Sequence, residues 1–453
     1  MDRFEVHSHT EYSNLRLLDC INKPENLINK AIELGLSGIA ITDHECLSSH
    51  IKVNKYAQKI IKDNPKFKIG LGNEIYLVDE REPGIKYYHF ILIAKDAEGH
   101  RQLRELSSLA WMNSYHDRFM ERVPTTKRDL FNVIRKNRGH LIATTACIGG
   151  ELSSNALEMC KARMIGDERT ANKCHKKIEE FLDFALQLFG TDFYIECAPA
   201  KSEDQIIVNK TLSNIAQKYR IKMVIGTDAH YLTKEDRYVH KAYLNSKGGE
   251  REVDTFYEFS YLQSNEEIIE NLKYSGFDMD FIVDMFENSM NIYDKIENYS
   301  LLHKQTIPKV EVKNYPKEHR KNIIDAVEKD YPVLASLMTS EDEIERYWYN
   351  ECTYKLAELG KNTSEYWSRL EEEASVKKTI GEKLETNMFA YPVTLQHYVD
   401  TFWECGSLVG AGRGSSCSGL NHYLLGITQL DPIEWNLPFW RYLNKERTEL
   451  GSL

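Results

Sequence analysis

Two histidines stand two residues apart in His7-Ser8-His9, and Asp228-Ala229-His230 repeats that spacing with an acid in the first place. On extended backbone alternate side chains share one face, so each pair can reach a single ion. Imidazole and carboxylate together suit zinc, manganese or iron, and ions held side by side can activate water and clamp both oxygens of a displacement. That is chemistry for cutting phosphate esters. The segments Thr42-Asp43-His44 and Gly72-Asn73-Glu74 add an imidazole and a carboxylate, with Asp43 placed to orient His44 from behind. Taken singly these residues are ordinary: a lone HxH is more often surface or hydrogen-bonded histidine, and Glu74 can be a strand-edge charge.

Their placement gives them weight. Short apolar runs at 4–7, 37–42, 67–78, 88–94, 140–145, 192–197 and 222–227 read as seven strands, separated largely by helical stretches. Between the first two, Leu27, Ile28, Ala31, Ile32 and Leu34 have helical spacing, with Pro24 and Glu25 in the first turn and Gly35 as the stop. Strands joined through helices predict parallel pairing by right-handed crossovers, in either a closed α/β barrel or an open doubly wound sheet. Asp43 and His44, Cys147, and Asp228 with His230 each follow a strand, and chemistry at strand C-terminal ends favours the barrel. His89, at the start of its run, does not obey this rule.

The 453 residues leave room for two or three domains, and no apolar run approaches the roughly 18 residues of a membrane span. The first residues lack the basic flank and apolar core of a secretory signal. Nine cysteines without a CxxC pair fit a reducing cytoplasm rather than a disulfide framework or a four-cysteine zinc site. A net charge of -11 excludes broad non-specific coating of nucleic acid but not a local basic groove. The stretch that offers one holds Arg101, Arg104, Arg118, Arg122, Lys127, Arg128, Arg135, Lys136 and Arg138 on predicted helices, where solvated helix faces are the plainer reading.

Residues 235–385 turn charged and helical, most clearly at 341–360 and 364–384, and apolar runs and glycines return after Asn387. There GAGRGSSCSG, Gly410 to Gly419, reads as a flexible loop or as a phosphate cradle, with small residues baring backbone N–H groups and Arg413 offering a bidentate grip.

With TDHE at 42–45 set beside TDAHY at 227–231, the chain resembles the polymerase and histidinol phosphatase (PHP) domain. HSHTEYSNLRLLD, from His7 to Asp19, is similar to the start of the alpha subunit of the C-family replicases, the bacterial DNA polymerase III family. The resemblance implies nine metal ligands: His7, His9, Asp19, His44, Glu74, His89, Cys147, Asp228 and His230. They would hold two or three divalent ions, zinc or manganese, with His9, Asp19, His44 and Asp228 also assigned the catalytic work. Otherwise Cys147 would be a small buried residue and Asp19 a helix cap. GRGSS, LLGITQLDP and RYLNKER resemble the entrance of the palm in the same family, which implies a nucleotide-facing loop at Gly412, Arg413, Gly414, Ser415 and Ser416.

The implied fold is α/β, a distorted seven-stranded β/α barrel of PHP type over 1–285, then a helical connecting segment over 286–385 and a partial palm over 386–453. In that family a run of aspartates for the polymerase metals follows NKER, where this sequence reads RTELGSL. The expectation is therefore that the chain alone does not add nucleotides, being either a truncated form or one half of a split polymerase whose other polypeptide carries those aspartates. Three functions compete: a metal-dependent 3'-5' exonuclease that trims a DNA primer end by attack of ion-activated water, a small-molecule phosphatase, and a non-catalytic scaffold for the rest of a split polymerase. DNA, the remaining polymerase polypeptide and replisome components are the expected partners, in the cytoplasm and away from membranes.

Overall fold

The computed structural model describes residues 1–15, 18–117, 120–246, 257–303, 306–313 and 329–446. Two compact units divide the chain, Met1–Leu302 and His303–Leu453.

In the first unit all seven expected strands form: β1 Phe4–Glu5, β2 Gly38–Ile41, β3 Lys68–Val78, β4 Tyr88–Ala94, β8 Leu141–Thr144, β9 Phe193–Cys197 and β10 Met223–Ile225. Between β4 and β8 lie three short additions, a hairpin of β5 Tyr115–Asp117 with β6 Met120–Arg122, and β7 Thr125–Thr126 along β3. The seven run in the order β1-β2-β3-β4-β8-β9-β10. Ser8 then pairs with Ala229 beyond the C-terminal ends of β1 and β10, through His9 N to Ala229 O at 3.0 Å and Ala229 N to His7 O at 3.3 Å. This seam closes the sheet into a barrel at that end.

The expectation of uniformly parallel pairing needs correction. β4 is antiparallel to both β3 and β8. Residues 79–87 form a hairpin connection without a helix, too short for the crossover that parallel neighbours require. Because β4 is reversed, its first residues lie at the same mouth as the other strands' last ones, which accounts for His89.

Alternation sorts the strand residues into two layers. Ala40, Ile91, Ile93, Ile142, Tyr194 and Val224 pack together inside, with Phe4 and with Ile292 and Ile296 at the far end of the barrel. Their neighbours Phe90, Leu92, Leu141, Ala143, Phe193, Ile195, Met223 and Ile225 face the surrounding helices. The expected helix forms at Pro24–Glu33, and Gly35 ends it at φ 71°, a conformation that favours glycine.

The second unit is helical as expected, with helices Pro332–Met338, Glu343–Glu358, Ser364–Leu384 and Ala390–Glu404 and the short Leu420–Leu424. Residue 285 lies inside the helix Met279–Lys295, whose Ile282, Met285, Phe286 and Ile292 are buried in the first unit's core. Helices on both sides of residue 386 share one core, where Trp348 and Phe389 meet edge to face at 5.0 Å. The expected boundaries at 285 and 386 thus fall within packed cores. Among the described residues no helix is long and apolar enough to cross a membrane.

Candidate metal centre

The mouth of the barrel gathers all nine residues. His7 and His9 leave β1 on one face, held by the seam and by Ser8, whose Oγ donates to Ala40 O at 2.5 Å. His44 follows β2, Glu74 sits on the inward face of β3, and His89 opens β4. Cys147 follows β8, and Asp228 and His230 follow β10. Asp19 comes from the loop after β1, where Asn14 Oδ1 accepts from its backbone N at 2.8 Å. Glu45, Ala146 and Asp228 all take positive φ, at 52°, 57° and 49°, beside or within the cluster. Each such turn costs on the order of 1 kcal/mol or more and aims a ligand at the mouth.

The donor atoms fall into two overlapping groups. His7, His9, Glu74 and Asp228 offer atoms all within 4.8 Å of one another, as do His9, His44 and His230, so His9 belongs to both. His7 Nε2 lies 2.7 Å from Glu74 Oε2 and 3.2 Å from Asp228 Oδ1. His44 Nε2 lies 3.1 Å from Asp19 Oδ2, and His230 Nε2 3.6 Å from the same oxygen. His89 Nδ1 reaches Glu74 Oε1 at 2.5 Å, with Cys147 Sγ 3.5 Å from that nitrogen. His89 is half-buried and the other eight are buried.

Burial disfavours charge on an imidazole, yet Glu196 and Asp228 hold the pKa of His7 well above its ordinary value. Against the same burial, Glu74 and Asp19 push His44 up to about 10. His230 is raised by Asp228 and Asp19 although burial opposes it. Burial and the neighbouring His44 and His230 instead lower His9. Burial would raise the carboxyls, but His230 and His44 hold Asp19 well below the usual range, and His89 and His44 do the same for Glu74. The cage thus keeps its acids ionised and needs positive charge, from protons on imidazoles or from cations.

The donor set fits a divalent metal. Asp228 Oδ1, Glu74 Oε1 and His230 Nε2 are buried within the cluster and meet only its other members, at ion-pair distance but without a well-directed hydrogen bond, an arrangement that a cation between them would satisfy. Bound cations would also draw off the burial-raised proton of Cys147, whose thiol is pushed well up by burial, Asp228 and Glu74.

Two supporting residues escaped the sequence reading. Glu196, on the inward face of β9, accepts from His7 Nδ1 at 2.6 Å and from Thr144 Oγ1 at 2.6 Å, fixing which ring nitrogen of His7 faces the cluster. Its signal was available, as a lone carboxylate in an otherwise apolar strand. Gly226 lies against it, and a Cβ there would stand 2.2 Å from Glu196 Oε1. Tyr257, distant in sequence, donates from its hydroxyl to Asp19 Oδ1. Asp43, expected to orient His44 from behind, reaches it through Ser13 and the His44 backbone. It accepts from Thr10 Oγ1, Ser13 Oγ and Ser49 Oγ, and Ser13 Oγ in turn accepts from His44 N at 3.1 Å.

The glycine-rich segment of the second unit looks different. Gly412, Arg413, Gly414 and Ser415 are exposed and Ser416 is half-buried, with Ser416 Oγ donating to Arg413 O at 2.6 Å. The helix beginning at Leu420 already receives an internal carboxylate, Glu373, which accepts from Leu420 N at 2.6 Å and Asn421 N at 2.9 Å. Three residues of the basic stretch of the first unit are paired with carboxylates: Arg101 with Glu98 and Glu105, Lys136 with Glu105, Lys127 with Asp79 and Glu151. Arg122 lies on β6 rather than on a helix, because the chain forms the β5–β6 hairpin there, and Arg118 is outside the described residues.

Comparison with known proteins agrees with this picture. Residues 5–200 match the PHP domain family and residues 340–451 the bacterial DNA polymerase III alpha NTPase domain. The protein named "Probable DNA polymerase YorL" of Bacillus subtilis (strain 168) is 40% identical over 99% of this chain and 36% of its own length. The DNA-directed DNA polymerase of Bacillus phage SPbeta gives the same figures, 40%, 99% and 36%. The DNA polymerase III subunit alpha of Aquifex aeolicus (strain VF5) is 28% identical over 100% of this chain and 36% of its own length. The chain spans about a third of the length of these relatives. Over its length the chain is thus similar to part of the bacterial DNA polymerase III alpha subunits, with a match to the PHP domain family in its first unit and to the alpha NTPase domain in its second.

Proposed function

We propose that the first unit is a metal-dependent phosphodiesterase that trims a DNA 3' end, within a chain that forms part of a replicative polymerase. The observation that carries this reading is the pair of donor groups sharing His9, which suits two or three ions set close together. Zinc or manganese fits the mixture of imidazole, carboxylate and thiol. Bound there, such ions would supply an acidified water and a clamp on the phosphate. The chain's own part is preorganisation. Glu196 fixes the His7 ring, Tyr257 and Asn14 place Asp19, and the strained turn at Asp228 aims its carboxylate inward. No serine or cysteine nucleophile is required, because the ion-bound water would supply the attacking oxygen.

A docking role for the second unit is favoured by the exposed Tyr398, Phe402, Trp403 and Leu408, an aromatic surface at the end of the helix Ala390–Glu404. In the test of the first reading, purified protein with manganese or zinc shortens a labelled single-stranded 3' end, and His9→Ala lowers the rate by at least about 100-fold. Unchanged trimming by His9→Ala, or no trimming with either metal, would overturn it.

A further inference from the structure

The β3–β4 hairpin reaches past the mouth of the barrel. β2 pairs with β3 only over Lys68–Leu71, while β4 follows it as far as Leu77. The projecting part carries a ladder of flat groups. Tyr76, opposite His89 in the hairpin register, stacks on that ring at 4.8 Å and 17°. Tyr87 stacks on Tyr76 at 4.8 Å and 12°. Over Tyr87 lies the guanidinium of Arg122, 5.0 Å from the ring centroid, with Nη1 donating to the Tyr87 hydroxyl at 3.0 Å. The lower end of the ladder is the His89 ring at Glu74, so three stacking steps connect the metal centre to Arg122.

Arg122 shares the lack of an ion pair among the described residues with Arg104, Arg128, Arg135 and Arg138, and its place on the ladder sets it apart from them. Arg101, Lys127 and Lys136 are spent on carboxylates, whereas Arg122 forms no ion pair and its Nε and Nη2 make no hydrogen bond among the described residues. A planar fork held by stacking, with donors to spare, is preorganised for a bidentate phosphate contact. In a chain of net charge -11, such a cation also gives local attraction for a polyanion.

We propose that Arg122 grips a backbone phosphate of a polynucleotide strand whose end lies at the metal centre, with Tyr87 and Tyr76 holding the guanidinium in place. This rests on the phosphodiesterase reading of the centre, and extends it from the bond that is cut to the length of substrate that is bound.

The test uses the full chain and two probes: a dye-labelled oligothymidylate protected by 3' phosphorothioates, for binding by fluorescence anisotropy, and bis(p-nitrophenyl) phosphate, for hydrolysis. Arg122→Ala is expected to weaken oligonucleotide binding about 10-fold and to lower the slope of log affinity against log salt by about one, the loss of one phosphate contact. The oligonucleotide should lose about tenfold more than the small diester. Tyr87→Phe, which keeps the ring and removes the anchoring hydroxyl, should fall between, and Arg122→Lys should regain the salt slope more than the affinity. Unchanged binding by Arg122→Ala, or an equal loss on both probes, overturns the proposal. If the protein binds the oligonucleotide through Arg122 but hydrolyses neither the small diester nor an unprotected strand, the phosphodiesterase reading fails and the grip stands.

Discussion

The mouth of the barrel and the glycine-rich segment of the second unit both announce themselves as motifs, yet they are built in opposite ways. At the mouth, eight of nine candidate residues are buried, and they touch one another across loops from five separate strands and the segment after β1. In the segment 412–416 four of five residues are exposed, and the side-chain hydrogen bond of Ser416 returns to the segment's own backbone. A buried polar cluster is preorganised before any ligand arrives, and its members depend on one another. An exposed loop gains order only from what it meets. The contrast predicts that substitutions at the mouth spread through the cluster and substitutions in the segment do not.

The largest effect should come from a residue that need not touch metal at all. Glu196→Gln removes the charge that sets the His7 ring and is expected to cut manganese affinity 10- to 100-fold, read by isothermal titration. An affinity within twofold of the unchanged protein would break the contrast, because the cluster would then tolerate loss of its support.

A smaller and broader effect concerns pH. His44, near 10 when folded against an ordinary 6.5, contributes stability that is complete below pH 6.5 and is lost as pH rises toward 10. The depressed Asp19 and Glu74 contribute above their ordinary 3.8 and 4.5, and that part is lost as pH falls through and below those values. Chelated protein should therefore be most stable between these limits and weaken on the alkaline side. Manganese, which must displace the same imidazole protons, should stabilise more as pH rises. Thermal unfolding in chelator and in manganese, across that range, tests both signs; a chelated midpoint that climbs from pH 6.5 toward 10 would contradict them.

The smallest effect is expected at Arg413. Exposed and with no bond of its own side chain among the described residues, it should tolerate Arg413→Ala within about 0.5 kcal/mol of unfolding free energy, measured by urea titration. A loss several times larger would show that the segment is held from within after all.

Much of the first unit was legible because its physics is local. The seven strands announce themselves as apolar runs, and the helix from Pro24 carries its own start and stop. Spacing at strand ends was enough to collect His7, His9, His44, Glu74, Asp228 and His230. The direction of β4 was not legible from periodicity, which is the same for either direction; only the length of residues 79–87 spoke to it, and His89 was the visible symptom. Glu196 was hidden for a related reason: its role depends on which face of β9 turns inward, and that is decided by neighbours more than 50 residues away, at Thr144 and His7. Tyr257 lies still further from Asp19 in sequence, and no local pattern links the two. In the second unit helix periodicity was clear, but a shared core between helices before and after residue 386 is a long-range property.

The seam between β1 and β10 has a mechanical meaning. Its one backbone bridge among the described residues is Ser8 with Ala229, backed by Thr227 N donating to Glu5 Oε1 and Asn22 Nδ2 donating to His9 O and Ala229 O, and the candidate ligands straddle it: His7 and His9 on one lip, Asp228 and His230 on the other. Cations received by His7, His9 and Asp228 and by His9 and His230 would each act as a clasp across that join, so the loading of the centre and the shutting of the barrel become a single event. A protein built this way can lose its chemistry and its rigidity together, and regain both from one handful of ions.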